Sequence, residues 1–350
     1  MQTIVNNTNR DSAFDWMRCI SILLIIFSHF LMFGGCGDSM LWLGHYLGDV
    51  FSIVFICISA LLYGLKWQMN GNKPFLAKSF MIKRFVKIAA SLYPYLITLL
   101  CLYICFSIPF SIRKFATNFL LLCWFDKIPT NGHLWFVTMI WICYASLCVS
   151  SKIQKKGKEK FILMCLFMVG AIAMQLILDN YNLPGYMFLL LFVYTLLFLY
   201  APVKGKMYNL LGEQSSYSYC LRFIIPVAFL IINSVALYQM SMTEYDARNS
   251  NLWFLLSLCG LLWIVILLIL FHSFKQNTIV SFLSKISFEL YLVHHILCCG
   301  SFSIIETFEY PIANFSLLAL VSLILAYFLH FISGIIQEYL KRLSFVSVYL

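Results

Sequence analysis

Arg18 and His29 stand at the two ends of the stretch RCISILLIIFSH, a run otherwise suited to the interior of a bilayer. An ionisable side chain among lipid tails costs about 3 kcal/mol or more unless it is sheltered, so both residues need a reason to be there. On a helix, eleven steps of 100° return to within about 20° of the starting direction. The two side chains therefore share one face, about 16 Å apart along the axis. A guanidinium forks onto phosphate oxygens, and a neutral imidazole takes a proton near physiological pH. One stripe thus combines an anion-binding group with a general base. Taken singly, Arg18 also fits a snorkelling topology signal, whereas a histidine deep in a span has no such plain explanation. Ser28 adjoins His29, but adjacent helical side chains diverge by about 100°, which argues against a Ser–His nucleophile pair.

A second group lies in KISFELYLVHHIL. His294 and His295 fall about 15 Å into that segment, a depth that matches His29. Being 100° apart, only one of them is expected to face a common cavity, and His294 is the second catalytic candidate. Glu289 does not line up with His294 and reads as a packing or rim group. In NGHLWFVTMIW, His133 and Trp135 stand at a span boundary. There they fit an interfacial aromatic belt. Asp49, in GHYLGDVF, lies within reach of water on the same side. His133, Trp135 and Asp49 are the candidate acceptor-binding residues. Arg84, Lys87 and Arg222 form a basic rim with Arg18 on the opposite side, either a topology signal or a phosphate-binding mouth. His45, His272 and His330 lie near expected span ends and read as structural.

The elements that must position these groups follow from composition. Of 350 residues, 62% are hydrophobic and 11% charged, against about half and a quarter in an ordinary soluble domain. The expected fold class is an all-α integral membrane protein, a bundle of about ten transmembrane helices. A span needs about 20 apolar residues. Ten stretches qualify: 14–33, 43–65, 86–108, 133–150, 161–178, 186–202, 217–238, 252–272, 284–305 and 314–338. The shorter run at 115–125 is expected to be re-entrant or interfacial. No internal repeat is evident, and residues 1–350 read as one transmembrane domain with no appended soluble domain. The polar start lacks a basic n-region, so the first span is expected to be retained rather than cleaved as a signal peptide. Thirteen cysteines, an odd number without CxxC spacing, lie mostly in apolar runs. They suggest packing rather than disulfides or a metal site.

Orientation follows the basic residues. With the N-terminus cytosolic, all but Arg113, Lys114, Lys127 and Arg248 of the 24 Lys and Arg fall on the inner side, and both termini are cytosolic. The net charge of +10 then reflects inner loops facing an anionic leaflet, with no nucleic-acid partner implied.

Several motifs together resemble the membrane acyltransferase family often called acyltransferase family 3. FDWMRCISILLIIFSHF is similar to that family's first span, with its arginine and histidine separated by ten residues. FICISALLYG resembles its FFVLSGFL-type signature, FMIKRFVKIAASLYPY its basic KRxxRI-P segment, HLWFV its HLWFL-type motif, and ISFELYLVHHIL its closing S-x-x-x-YL-x-H motif. In this order they cover nearly the whole chain. Ala60 stands where the family usually has glycine, Lys87 where a second arginine is common, and Pro94 comes later than usual. The chain resembles the stand-alone form, without the C-terminal esterase-like domain of some members.

The resemblance implies transfer of an acyl group, usually acetyl, from cytosolic acyl-CoA to a sugar hydroxyl of a bacterial surface polysaccharide, lipopolysaccharide, capsule or lipid-linked precursor. The implied location is the plasma (inner) membrane. On this reading acetyl-CoA is the donor co-substrate and no metal is needed. Arg84, with Arg18, Lys87 or Arg222, holds the CoA nucleotide; His29 is the base, and His294 orients the acceptor, shares the proton or stabilises the oxyanion. Direct transfer and an acyl relay both remain open. A proton-coupled transporter or flippase is the competing class, since intramembrane His, Asp and Glu also mark proton relays. A non-catalytic scaffold leaves the deep histidines unexplained.

Overall fold

The apolar runs fold as helices. The computed structural model describes residues 12–34, 36, 38–152, 186–199, 201, 216–242, 250–271 and 274–342, with isolated positions between 162 and 173. Among these there is no strand. Eleven α-helices follow in order: α1 (Ser12–Met32), α2 (Leu41–Met69), α3 (Ala77–Cys105), α4 (Ile112–Phe119), α5 (Trp135–Ser150), α6 (Tyr186–Leu199), α7 (Ser216–Met242), α8 (Ser250–Phe271), α9 (Thr278–Lys285), α10 (Ser287–Cys298) and α11 (Pro311–Arg342). Single 3-10 turns, Asp38–Met40 and Gly132–Leu134, lead into α2 and α5.

Seven described segments are long and apolar enough to cross a bilayer: α1, α2, α3, Gly132–Ser150, Ile224–Met242, Leu252–Phe271 and α11. The chain is a multi-pass helical membrane protein. The expected span 161–178 lies outside the described residues except for isolated positions. The 186–202 stretch forms a helix of 14 residues, shorter than a span. The run at 115–125 is short as expected: α4 ends at Phe119 and turns follow it.

The stretch 284–305 departs from expectation. Its helix breaks at Ile286, so α9 and α10 are separate, and turns and bends follow Cys299. Asn277 caps α9, its side-chain oxygen accepting from the amides of Ile279 (2.8 Å) and Val280 (3.3 Å). With 12 residues, α10 rises only about 18 Å, too little for a hydrocarbon core of about 30 Å. Every residue of α10 except Phe288 is buried. Packed against α1, α3 and α11, it is an internal helix, which is why it tolerates a Glu and two His.

Two close approaches fix the bundle around it. Gly44 and Gly48 let α2 lie against α1: a Cβ on Gly44 would stand 2.7 Å from Met32 Cγ and 2.9 Å from the Ser28 carbonyl. Small residues four apart serve helix contact in membranes because they admit the neighbouring backbone. The chain before α5 is tied down by tyrosines of α3. Tyr93 donates to the Phe119 carbonyl (2.9 Å), Tyr95 to Asn131 Oδ1 and Tyr103 to the Pro129 carbonyl (3.0 Å). This clamp carries His133.

Candidate active site

Three helical elements bring four histidines together. His29 comes from the last turn of α1, His294 and His295 from α10, and His133 from the 3-10 turn before α5. Ring centroids are 4.9 Å apart for His29 and His294, 4.7 Å for His29 and His295, and 4.4 Å for the stacked pair His133 and His295.

Their hydrogen bonds fix the tautomers, because a carbonyl oxygen can only accept. His29 Nδ1 lies 2.9 Å from the Ile25 carbonyl, so it carries the proton. The same Nδ1 is 3.1 Å from His294 Nε2, which must then be the acceptor. That agrees with His294 donating from Nδ1 to the Leu290 carbonyl at 3.1 Å. His29 Nε2 is therefore unprotonated. His295 donates from Nδ1 to the Thr130 carbonyl at 2.7 Å, and His133 from Nε2 to the Leu292 carbonyl at 3.2 Å. Buried His133 Nδ1 has no hydrogen-bond partner among the described residues. Three imidazole nitrogens are thus left as acceptors.

A cavity of about 500 Å³ is lined by His29, His133 and His295, together with Asp49, Trp135 and Trp253. The structure brings together every candidate acceptor-binding residue with His29. The two α10 histidines are placed differently. His294 is fully buried behind His29 and bonds to it, whereas His295 lines the cavity. Helical periodicity separates the pair by 100°, but α10 is enclosed on all sides, so both meet His29. His45, read as structural, lines the same cavity. Ser28 donates to the Ile25 carbonyl at 2.7 Å and faces Gly48 rather than His29.

Thr130 is a residue that sequence reasoning missed. Its φ is +59°, an outlying conformation for a β-branched residue. Tyr103 and Thr130 Oγ1 are 3.1 Å apart, and the Thr130 carbonyl receives the His295 proton. Strained backbone of this kind persists only where its surroundings impose it; here the α3 tyrosines do so. Nothing local in the sequence signals it.

A second cavity, of about 400 Å³, lies along the same helices toward Arg18. Arg18, Lys87 and Lys285 line it, with Glu289 and His330. Glu289 is buried: its Oε1 accepts from Ser91 at 2.8 Å and pairs with His330 Nδ1 at 3.3 Å. Of the two readings of Glu289, packing group or rim group, its burial fits the first. Arg84 belongs elsewhere. It donates to the Tyr63 hydroxyl and lies over the rings of Tyr63, Phe80 and Tyr144, 5.3, 5.6 and 6.0 Å from their centroids. It lines a separate basic cleft with Lys66, Lys73 and Lys83. Tyr144 also lines the Arg18 cavity, so one ring separates Arg84 from it. Arg222 falls on α7, but its side chain lies outside the described residues, as does His272. Among the described residues, no group of three or more His, Cys, Asp or Glu is arranged to hold a metal ion.

A base nitrogen in one cavity and guanidinium and ammonium groups in another suit transfer from a phosphate-bearing donor to an acceptor. No curated protein and no solved structure matches the chain. The family model described as an acyltransferase domain matches residues 11–331, from the start of α1 into α11 and across both cavities, and the chain belongs to that acyltransferase family.

Proposed function

We propose that this membrane acyltransferase is an O-acyltransferase of the cell envelope. It moves an acyl group, acetyl in the simplest case, from cytosolic acyl-CoA to a hydroxyl of a surface carbohydrate or its lipid-linked precursor. The setting is a bacterial plasma membrane, with both termini cytosolic. The observation that carries the reading is the pair of cavities along α1, one lined by Arg18 and the other by His29. Lys87 and Lys285 add positive charge beside Arg18, as the phosphates of CoA require. Trp135 and Trp253 offer faces on which a sugar ring stacks, with Asp49 and His133 Nδ1 as hydrogen-bond acceptors for its hydroxyls.

In the reaction, His29 Nε2 accepts the proton of the acceptor hydroxyl as its oxygen attacks the thioester carbonyl. The tetrahedral adduct collapses, the C–S bond breaks, and the CoA thiolate takes the proton back from His29. The products are an ester and free CoA, and no further reactant is needed. His294 Nε2 holds the Nδ1 proton of His29 throughout, fixing the tautomer and supporting the transient imidazolium. Positioned proton transfer of this kind contributes about 10²- to 10⁴-fold.

The Glu289–His330 pair within the bundle is the observation that favours a proton-coupled transporter instead. One experiment separates the two. Membranes carrying wild-type protein or His29→Ala receive labelled acetyl-CoA, and label is followed into glycan. Label in glycan with wild type alone supports the reading. Equal transfer by both removes His29 as the base. No transfer by either folded protein, with the acceptor present, moves the transporter forward.

A further inference from the structure

The two cavities are stacked end to end, and the layer between them is thin. On three helices the lining changes from one cavity to the other at the same level. On α2, Ser52 faces the His29 cavity and Phe55 the Arg18 cavity; on α5 the change falls between Trp135 and Phe136. On α10, Phe288 and Glu289 face the Arg18 cavity and Tyr291 the other. Three residues of α-helix rise about 4.5 Å, so the partition is about one aromatic ring thick.

That partition consists of Phe55, Phe136 and Tyr291. The Phe136 ring lies 4.6 Å from Tyr291 and 5.6 Å from Phe55, centroid to centroid. Tyr291 is pinned, because its hydroxyl donates to the His133 carbonyl. Phe136 has no polar tether, and it lines the Arg18 cavity beside Ile140 and Phe55. Phe136 and Tyr291 are buried, 2% and 1% exposed, and Phe55 is partly buried.

Resting on the donor reading above, we propose that Phe136 is a gate between the donor and acceptor cavities and sets the size of acyl group that reaches His29. A thioester entering beside Arg18 must displace this ring to place its carbonyl near His29 Nε2. While the ring is in place, water from the His29 cavity is kept from the donor side. The displaced ring still takes up room beside the acyl tail, so an acetyl group is accommodated and a longer one meets the ring.

The test uses the full-length protein in nanodiscs, with Phe136→Leu, Phe136→Ala and Phe136→Trp, and with free CoA, acetyl-CoA, butyryl-CoA and hexanoyl-CoA as probes. Two quantities are read: binding of free CoA, and transfer to acceptor alongside hydrolysis without acceptor. The gate requires free CoA to bind all variants within about threefold of wild type. Phe136→Ala and Phe136→Leu should raise hexanoyl relative to acetyl transfer at least tenfold and increase acceptor-independent hydrolysis, and Phe136→Trp should lower acetyl transfer at least tenfold. Variants that bind CoA but keep the wild-type chain-length preference and hydrolysis rate overturn the gate and leave the donor reading intact. Failure of wild type to bind CoA or consume any thioester overturns the donor reading and the gate with it. Leucine removes the ring but leaves a smaller void than alanine, which keeps the test informative should alanine unfold the bundle.

Discussion

Replacing His294 by leucine isolates the contribution of a residue that never faces the substrate. In the resting site His29 Nδ1–H is shared between the Ile25 carbonyl at 2.9 Å and His294 Nε2 at 3.1 Å. Ile25 alone keeps the tautomer, so His29 Nε2 remains a base in the variant. What changes is the bond's strength as charge develops. A neutral hydrogen bond contributes about 0.5–1.5 kcal/mol and one to a charged group about 1.5–3 kcal/mol. The difference, about 1–1.5 kcal/mol, is felt only when His29 carries the transferred proton, and corresponds to about a 5- to 13-fold fall in kcat. Neither substrate touches His294, so KM for donor and acceptor should move less than about threefold. His294→Gln supplies an amide oxygen to the same proton and should recover most of the rate. His29→Ala should cost about 10²–10⁴. The assay is steady-state transfer of labelled acetyl from acetyl-CoA to acceptor, with each variant checked for monodispersity and thermal unfolding. A leucine variant with wild-type kcat would refute the positioning role. So would a glutamine variant as impaired as leucine, because that outcome assigns the loss to packing.

The divided basic rim makes a second test. Arg18→Ala removes a cation from the cavity assigned to the donor and should raise the KM for acyl-CoA about 10- to 150-fold, the equivalent of one charge-assisted bond. Arg84→Lys loses the guanidinium's stacking on Tyr63, Phe80 and Tyr144, about 0.5–2 kcal/mol, and should lower thermal stability while changing that KM far less; titration of rate against donor and a melting curve separate the two effects. At Thr130, glycine accepts φ +59° without strain and keeps the carbonyl for His295, so the lost Tyr103 contact (about 1 kcal/mol) and the relieved backbone (about 1 kcal/mol) nearly offset. Thr130→Pro forces φ near −65° and should abolish transfer, which a parallel melt and activity measurement would show.

Much of the site was legible in the sequence because depth and face are local properties of a helix. The eleven-residue spacing of Arg18 and His29 set them apart along one face of α1, and in the structure they line different cavities. His133, Trp135 and Asp49 were gathered at one boundary by span counting, and they line one cavity with His29. Spans α1, α2, α3, α5, α7, α8 and α11 were likewise readable as apolar runs. The number of crossings and the side on which each end lies rest on charge bias, which the helices themselves do not carry.

What was not legible depended on neighbours rather than on periodicity. A helix with one lipid face shows which side is buried, but α10 is buried nearly all round. Its faces cannot be ranked by hydropathy, so spacing alone did not say that His295 would line the cavity while His294 bonds to His29. The same enclosure hid Glu289, whose partners Ser91 and His330 come from α3 and α11, far away in sequence. Arg84 and Lys87 are three residues apart and read as one basic rim, yet Tyr144 lies between Arg84 and the cavity that Lys87 lines. Thr130 is the extreme case. Its left-handed backbone follows from tyrosines on α3 that hold the preceding turn, and no residue type at position 130 announces it. Residues that meet the cavity from their own helix were found from spacing, whereas residues placed by another helix's side chains required the fold. By that rule Phe136, an ordinary apolar position in HLWFV, becomes a candidate for selectivity only once α2 and α10 bring Phe55 and Tyr291 against it.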